Sequence, residues 1–310
     1  MKNYLSLIKF SHTIFALPFA LIGFFLAIKN PIEFQGPKSD SDFIFSIDLT
    51  EGLISGINMF LALKLIFVIL CMVFARSAAM AFNRYIDRKI DLANPRTAAV
   101  REIPNGTITP KNALLFVIVN CVLFIGTTYF INTLCFYLSP VALLVVLGYS
   151  LTKRFTALCH LVLGLGLSLA PIGAYLAVTG EFDWLPLFFS FSVLFWVSGF
   201  DIIYALQDEA FDKEQKLHSI PVLLGTKNAL MLSNVLHIIS ASFILYAGYY
   251  VNLGLFYWIG SGIFIGLLSY QHFLVKPNDL SKINLAFFTT NGIASVLFAV
   301  FVLLELYVIL

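Results

Sequence analysis

Apolar, nearly uncharged runs of about twenty residues recur from one end of this chain to the other. Each is long enough to cross the hydrocarbon core of a bilayer. Lipid offers no water to backbone amides, so such runs must be helices; a β-barrel would show short alternating segments instead. Reading the runs between polar breaks predicts an all-α polytopic membrane protein of nine helices, forming one domain over residues 1–310. The helices fall at 12–29, 62–86, 112–131, 134–151, 158–179, 185–206, 228–250, 253–274 and 285–308. The first run follows Lys2 and Lys9 but lacks a small-x-small cleavage site, so it reads as a retained helix, not a signal peptide. The segment 30–61 is long for a loop; its end, Gly52–Leu61, reads as a surface helix or an extension of the second span.

A net charge of +2 in 310 residues gives no footing for a nucleic-acid partner, and the distribution of charge is more telling. If the chain alternates sides, most Lys and Arg residues fall at the N-terminus and in the loops after the second, fourth, sixth and eighth helices. Lys29, Lys38 and Lys64 lie opposite. The positive-inside rule then places the N-terminus in the cytoplasm and the C-terminus outside. Cys71, Cys121, Cys135 and Cys159 lie in or beside apolar spans without metal-site spacing, and read as small packing residues.

Against this background two acidic runs stand out, both on the predicted cytoplasmic side. Asn83, Asp87 and Asp91 are four residues apart and share a helix face. Asp201, Tyr204, Asp208 and Asp212 form a second such ladder. Oxygen-only donors of this kind suit Mg²⁺, which takes one or two carboxylates together with waters and substrate phosphates. A solvated helix end with i,i+4 ion pairs to Arg88, Lys89, Lys213 and Lys216 explains one ladder, and explains two on the same side poorly. Arg76 lies seven residues before Asn83, inside the apolar span, where an arginine is costly and functional by default. Tyr149 and Lys153, spaced i,i+4, offer a hydroxyl and an ammonium. The turn-rich stretch with Arg96 and Arg101 is a basic loop able to cap an anion.

Taken together, these residues resemble the UbiA superfamily of intramembrane aromatic prenyltransferases. The first ladder matches that family's NxxxDxxxD motif, Asp201 to Asp212 its DxxYxxxDxxxD motif, and Tyr149 to Lys153 its YxxxK loop. Arg84 stands where many members place an acid, and His218 near a position where members often carry lysine. The resemblance implies a helical bundle around a central cavity in the inner membrane, with its active site facing the cytoplasm. It implies a polyprenyl diphosphate donor, an aromatic acceptor and no obligate protein partner. Asn83, Asp87 and Asp91 would hold one Mg²⁺, and Asp208 and Asp212 a second. Arg76, Arg84 and Lys153 would bind the diphosphate beside Tyr149 and Tyr204, and Asp201 or Asp91 would assist acceptor ionisation.

For the acceptor, the cue is the first helix. Its Ser11-His12 and Leu17-Pro18-Phe19 look like menaquinone-pathway members of the futalosine type. That implies a hydroxylated naphthoate such as 1,4-dihydroxy-6-naphthoate, with His12 at the acceptor; 4-hydroxybenzoate, as in ubiquinone biosynthesis, is the alternative. A lipid phosphotransferase would place its acids within one motif, whereas Asp91 and Asp208 are far apart in this chain. A cation-coupled transporter would place acids near mid-membrane. The Gly and Pro residues of the fifth span give that rival slight support.

Overall fold

The computed structural model describes residues 2–7, 15–29 and 57–308. Helices make up its regular structure: α1 (Lys2–Leu7), α2 (Leu17–Lys29), α3 (Ile57–Ile86), α4 (Arg88–Ala93), α5 (Pro95–Ala98), α6 (Pro110–Ile131) and α7 (Thr133–Thr152). They continue with α8 (Cys159–Thr179), α9 (Trp184–Ala205), α10 (Glu209–Glu214), α11 (Ile220–Tyr250), α12 (Leu255–Leu274) and α13 (Asn291–Val308). Among the described residues, seven helices are long and apolar enough to cross a membrane. α2 is a shorter apolar helix of 13 residues. The second span starts at Ile57, so the end of the Gly52–Leu61 stretch extends that helix; residues 30–56 lie outside the described residues.

Local chemistry explains the helix ends. Thr109, Asn132, Asp183 and Ser219 each accept a backbone amide of the first turn of α6, α7, α9 and α11, satisfying donors that have no intrahelical partner. α11 begins at Ile220, earlier than the apolar pattern predicts, and kinks at Gly225, whose φ of 72° is a left-handed conformation. In α13 the expected single helix opens with a π-type segment, Leu285–Thr290. The Asn291 amide donates back to the Ala286 and Phe287 carbonyls that this geometry loosens.

α2 is buried at the centre of the bundle and packs against α8, and α9 lies between α8 and α11. A Cβ on Gly23 would fall on the Pro171 carbonyl, so only glycine lets α2 approach α8 this closely. Phe19, Phe189, Trp196, Phe264 and Phe298 interlock as an aromatic core. The polar edge of Trp196 is satisfied by Asn291 Oδ1 at 2.8 Å, which also accepts from Gln271 at 2.7 Å. Phe130, Leu144 and Phe273 face outward, which suits a hydrocarbon surround.

A candidate active site between two acidic ladders

The C-terminal ends of α3, α7 and α9 meet the N-terminal ends of α8 and α11 at one end of the bundle. Cross-links make this junction specific. The Arg154 guanidinium donates to the Ile86 carbonyl at 2.9 Å, and the His218 amide to the Lys153 carbonyl at 2.7 Å.

The first ladder is not one uninterrupted α-helix: α3 ends at Ile86 and α4 begins at Arg88. The amides of Asp87 and Asp91 still bond to the carbonyls four residues back, so the shared face survives the break. Asn83 Nδ2 donates to Asp87 Oδ2 at 3.3 Å. The second ladder passes through a 3₁₀ turn, Leu206–Asp208, before α10 carries Asp212.

The structure brings the two ladders together. Asn94, just past the first, donates to Asp208 Oδ1 at 3.2 Å, and Arg96 grips both oxygens of Asp208 while its Nη1 reaches the Tyr204 hydroxyl. Asp212 lies within Coulombic range of Lys153, Asp208, His160 and Asp87. Asp87 itself is buried, with Arg154 at 3.1 Å and Lys153 at 3.9 Å. Asp91 is buried against Arg101. None of these partners sits at the i,i+4 positions of a simple solvated helix; Arg88 instead stacks over the Tyr85 ring. The basic loop after the first ladder therefore binds the acids themselves.

Arg84 is buried beside Asn83, donating to its Oδ1 at 3.4 Å. Arg76 and Tyr149 stand at one end of a cavity of about 410 Å³ otherwise walled mainly by apolar side chains, most of them from α3, α6, α7 and α8. The Arg76 Nε is buried with no hydrogen-bond acceptor among the described residues. Tyr149 links the cavity to the acids, lying within Coulombic range of Arg84, Asp87 and Asp201. His12 lies outside the described residues.

No cluster of three or more His, Cys, Asp or Glu side chains forms a ready cage among the described residues. Yet Asp91 Oδ2 is buried without a partner, and the buried Asp212 carboxylate makes no hydrogen bond among them. Unsatisfied carboxylate oxygens on both ladders, with no sulfur or imidazole ligand, fit Mg²⁺ completed by phosphate and water.

Sequence reading missed His160, Asn94 and Arg154 as parts of this junction. His160 Nδ1 lies 2.6 Å from Asp201 Oδ2. An ionisable residue in the first turn of an apolar span was the available signal. Asn94 and Arg154 carried none, because their partners come from distant segments.

Comparison with known proteins gives the family and the fold. Residues 52–293 match the UbiA prenyltransferase family. A 4-hydroxybenzoate octaprenyltransferase of Tolumonas auensis is 30% identical over 224 residues, covering 72% of this chain and 78% of that protein. The apo structure of a UbiA homologue from Aeropyrum pernix K1 superposes with a TM-score of 0.73 at 25% identity, over 96% of this chain and 97% of that one. A UbiA homologue from Archaeoglobus fulgidus bound to GPP and Mg²⁺ shares the fold, with a TM-score of 0.72 at 20% identity over 98% and 99% of the two chains.

Proposed function

The chain belongs to the UbiA prenyltransferase family, and from that premise we propose that it moves a polyprenyl group from an allylic diphosphate to an aromatic acceptor in respiratory quinone biosynthesis. We read residues 1–310 as one such domain, in the inner membrane, with its site facing the cytoplasm as the charge bias favours. The observation that carries this reading is the meeting of two acidic ladders at the polar end of an apolar cavity.

In this reading Asn83, Asp87 and Asp91, with Asp208 and Asp212, hold Mg²⁺, which when bound supplies Lewis-acid neutralisation of the diphosphate. That an Archaeoglobus fulgidus homologue binds GPP and Mg²⁺ supports the need for the cation. Arg76, Arg84 and Lys153 donate charge-assisted hydrogen bonds to diphosphate oxygens. Tyr149 and Tyr204 line the approach. The prenyl tail lies in the apolar cavity, away from water.

The allylic C–O bond breaks, and its electron pair leaves on the diphosphate. The electron-deficient allylic carbon, favoured by nearby ring faces, then bonds to a ring carbon of the acceptor. That carbon gives up its proton, which restores aromaticity. Asp201 suits the role of proton acceptor better than Asp91, because Asp91 is buried and assigned to the cation, whereas the Asp201 side chain is 22% exposed.

For the acceptor we favour a hydroxylated naphthoate, on the Ser11-His12 and Leu17-Pro18-Phe19 pattern of the first helix. The second reading is 4-hydroxybenzoate, favoured by the names of the relatives. A transporter fits poorly, since no Asp or Glu among the described residues lines the cavity.

Purified protein given geranyl or longer diphosphates with a panel of acceptors tests both points by product mass. Product from 4-hydroxybenzoate and none from naphthoates reverses the acceptor choice. Asp87→Ala and Asp208→Ala are each expected to abolish Mg²⁺-dependent transfer in protein that remains folded and membrane-inserted. Near-wild-type turnover in both would sink the metal assignment.

A further inference from the structure

His160 is buried in the first turn of α8, and neither ladder motif contains it. Its two ring nitrogens have distinct partners. The Ile220 amide, the first of α11, has no acceptor within its own helix, and it donates to His160 Nε2 at 3.3 Å. A nitrogen that accepts carries a lone pair, so the ring proton resides on Nδ1. Nδ1 in turn lies 2.6 Å from Asp201 Oδ2, and donates to it. The imidazole thus ties together α8, α9 and α11.

The backbone around the pair is also held. Ser198 Oγ donates to the His160 carbonyl at 3.2 Å, and Gly164 admits no Cβ against Leu194 and Ser198. Asp201 is 22% exposed at its side chain, and its Oδ1 has no hydrogen-bond partner among the described residues. Asp201 shares its helix face with Tyr204 and Asp208 by spacing. A reactive carboxylate oriented by a buried ring on one oxygen, with the other open, is the arrangement of a base and its orienting partner.

We infer that His160 is a positioning residue: it holds Asp201 as an oriented carboxylate toward the aromatic acceptor. This rests on the prenyl-transfer reading above. The proton lost by the acceptor ring goes to Asp201 Oδ1, and the Nδ1 proton of His160 stays where it is. The other titratable groups facing the pair are Cys159 on α8, Tyr149 on α7 and Asp212 on α10.

Two measurements on the full chain in lipid nanodiscs test this. In ¹⁵N-histidine-labelled protein, one ring is expected to show the neutral Nδ1–H tautomer. Its signals should vanish in His160→Gln and move in Asp201→Asn. An Nε2–H tautomer at His160 overturns the inference whatever the enzyme does.

In kinetics, His160→Leu is expected to lower kcat about tenfold or more with the donor KM unchanged. The acid limb of kcat/KM should move to higher pH, because a carboxylate without its N–H donor is more readily protonated. His160→Gln keeps a donor for Asp201 and an acceptor for the Ile220 amide, and should recover most of the loss. If His160→Leu fails to accumulate in the membrane, His160→Asn is read in its place. Wild-type kcat and an unmoved acid limb in His160→Leu, or no recovery in folded His160→Gln, leaves His160 with packing alone and overturns the inference. Wild-type protein that prenylates no acceptor sinks the functional reading itself, and is seen before any variant is made.

Discussion

At Asp91 the competing demands of the site meet in one side chain. The carboxylate is buried, Arg101 holds one oxygen, and the other has no partner. Removing one member of such a pair leaves an uncompensated buried charge, which costs about 3 kcal/mol. Arg101→Ala should therefore lower the Tm of the purified protein, and added Mg²⁺ should restore part of it by neutralising the same carboxylate. A Tm unaltered by the substitution would show that Arg101 does not stabilise Asp91. Asn83, Asp87 and Asp91 were legible in sequence because a four-residue spacing is a local geometric fact. Arg101 and Arg96 were legible only as a basic loop. Which acid each one meets depends on how residues 94–109 fold back over both ladders.

Among the elements, α12 shows how one helix depends on another. Its N-terminus lacks a capping side chain of its own, since Gly254 occupies that position. Glu305 of α13 accepts the amides of Gly254, Phe256 and Tyr257 at 2.7, 3.0 and 3.3 Å. A carboxylate at a helix N-terminus satisfies orphan donors and complements the helix dipole. Glu305→Ala should thus cost about 1–2 kcal/mol, read as a lower Tm with the helical circular dichroism retained. Gly225 is the second such point. An alanine there must adopt φ 72° and ψ 163°, a region essentially reserved for glycine, at about 1–3 kcal/mol, and a Tm equal to wild type would argue against that strain. The apolar runs located the long helices, because length and hydropathy are local, although α11 starts well before its run and, among the described residues, seven of the nine predicted spans are long and apolar enough to cross a membrane. They did not foretell the α11 kink or the π segment before Asn291, which depend on backbone geometry and side-chain partners that hydropathy does not report.

For the whole molecule, the consequence is a cavity whose chemistry differs at its two ends. Arg76 and Tyr149 stand at the ladder end, while Ile131, Cys135 and Phe182 line the far end. If the prenyl tail occupies this space, Ala142→Phe should narrow it, since Ala142 lines the wall. The ratio of kcat/KM for long donors to that for geranyl diphosphate should fall by about tenfold or more, equivalent to ~1.4 kcal/mol of differential binding. An unchanged ratio would place the tail elsewhere, for instance between helices and lipid.

Read alone, the sequence determined that this chain is a helical, multi-pass membrane protein with two acidic ladders, and it carried the resemblance to its family. Those conclusions rest on periodicity and hydropathy, which act over one or two helical turns. Long-range packing is what joins Asn94 and Arg96 to Asp208, Arg154 to Asp87, and His160 to Asp201. Each of those pairings joins residues far apart in the chain. They are set by how helices of suitable shape pack, as at Gly23 on Pro171 and Gly164 on Leu194, and no short spacing records such an approach.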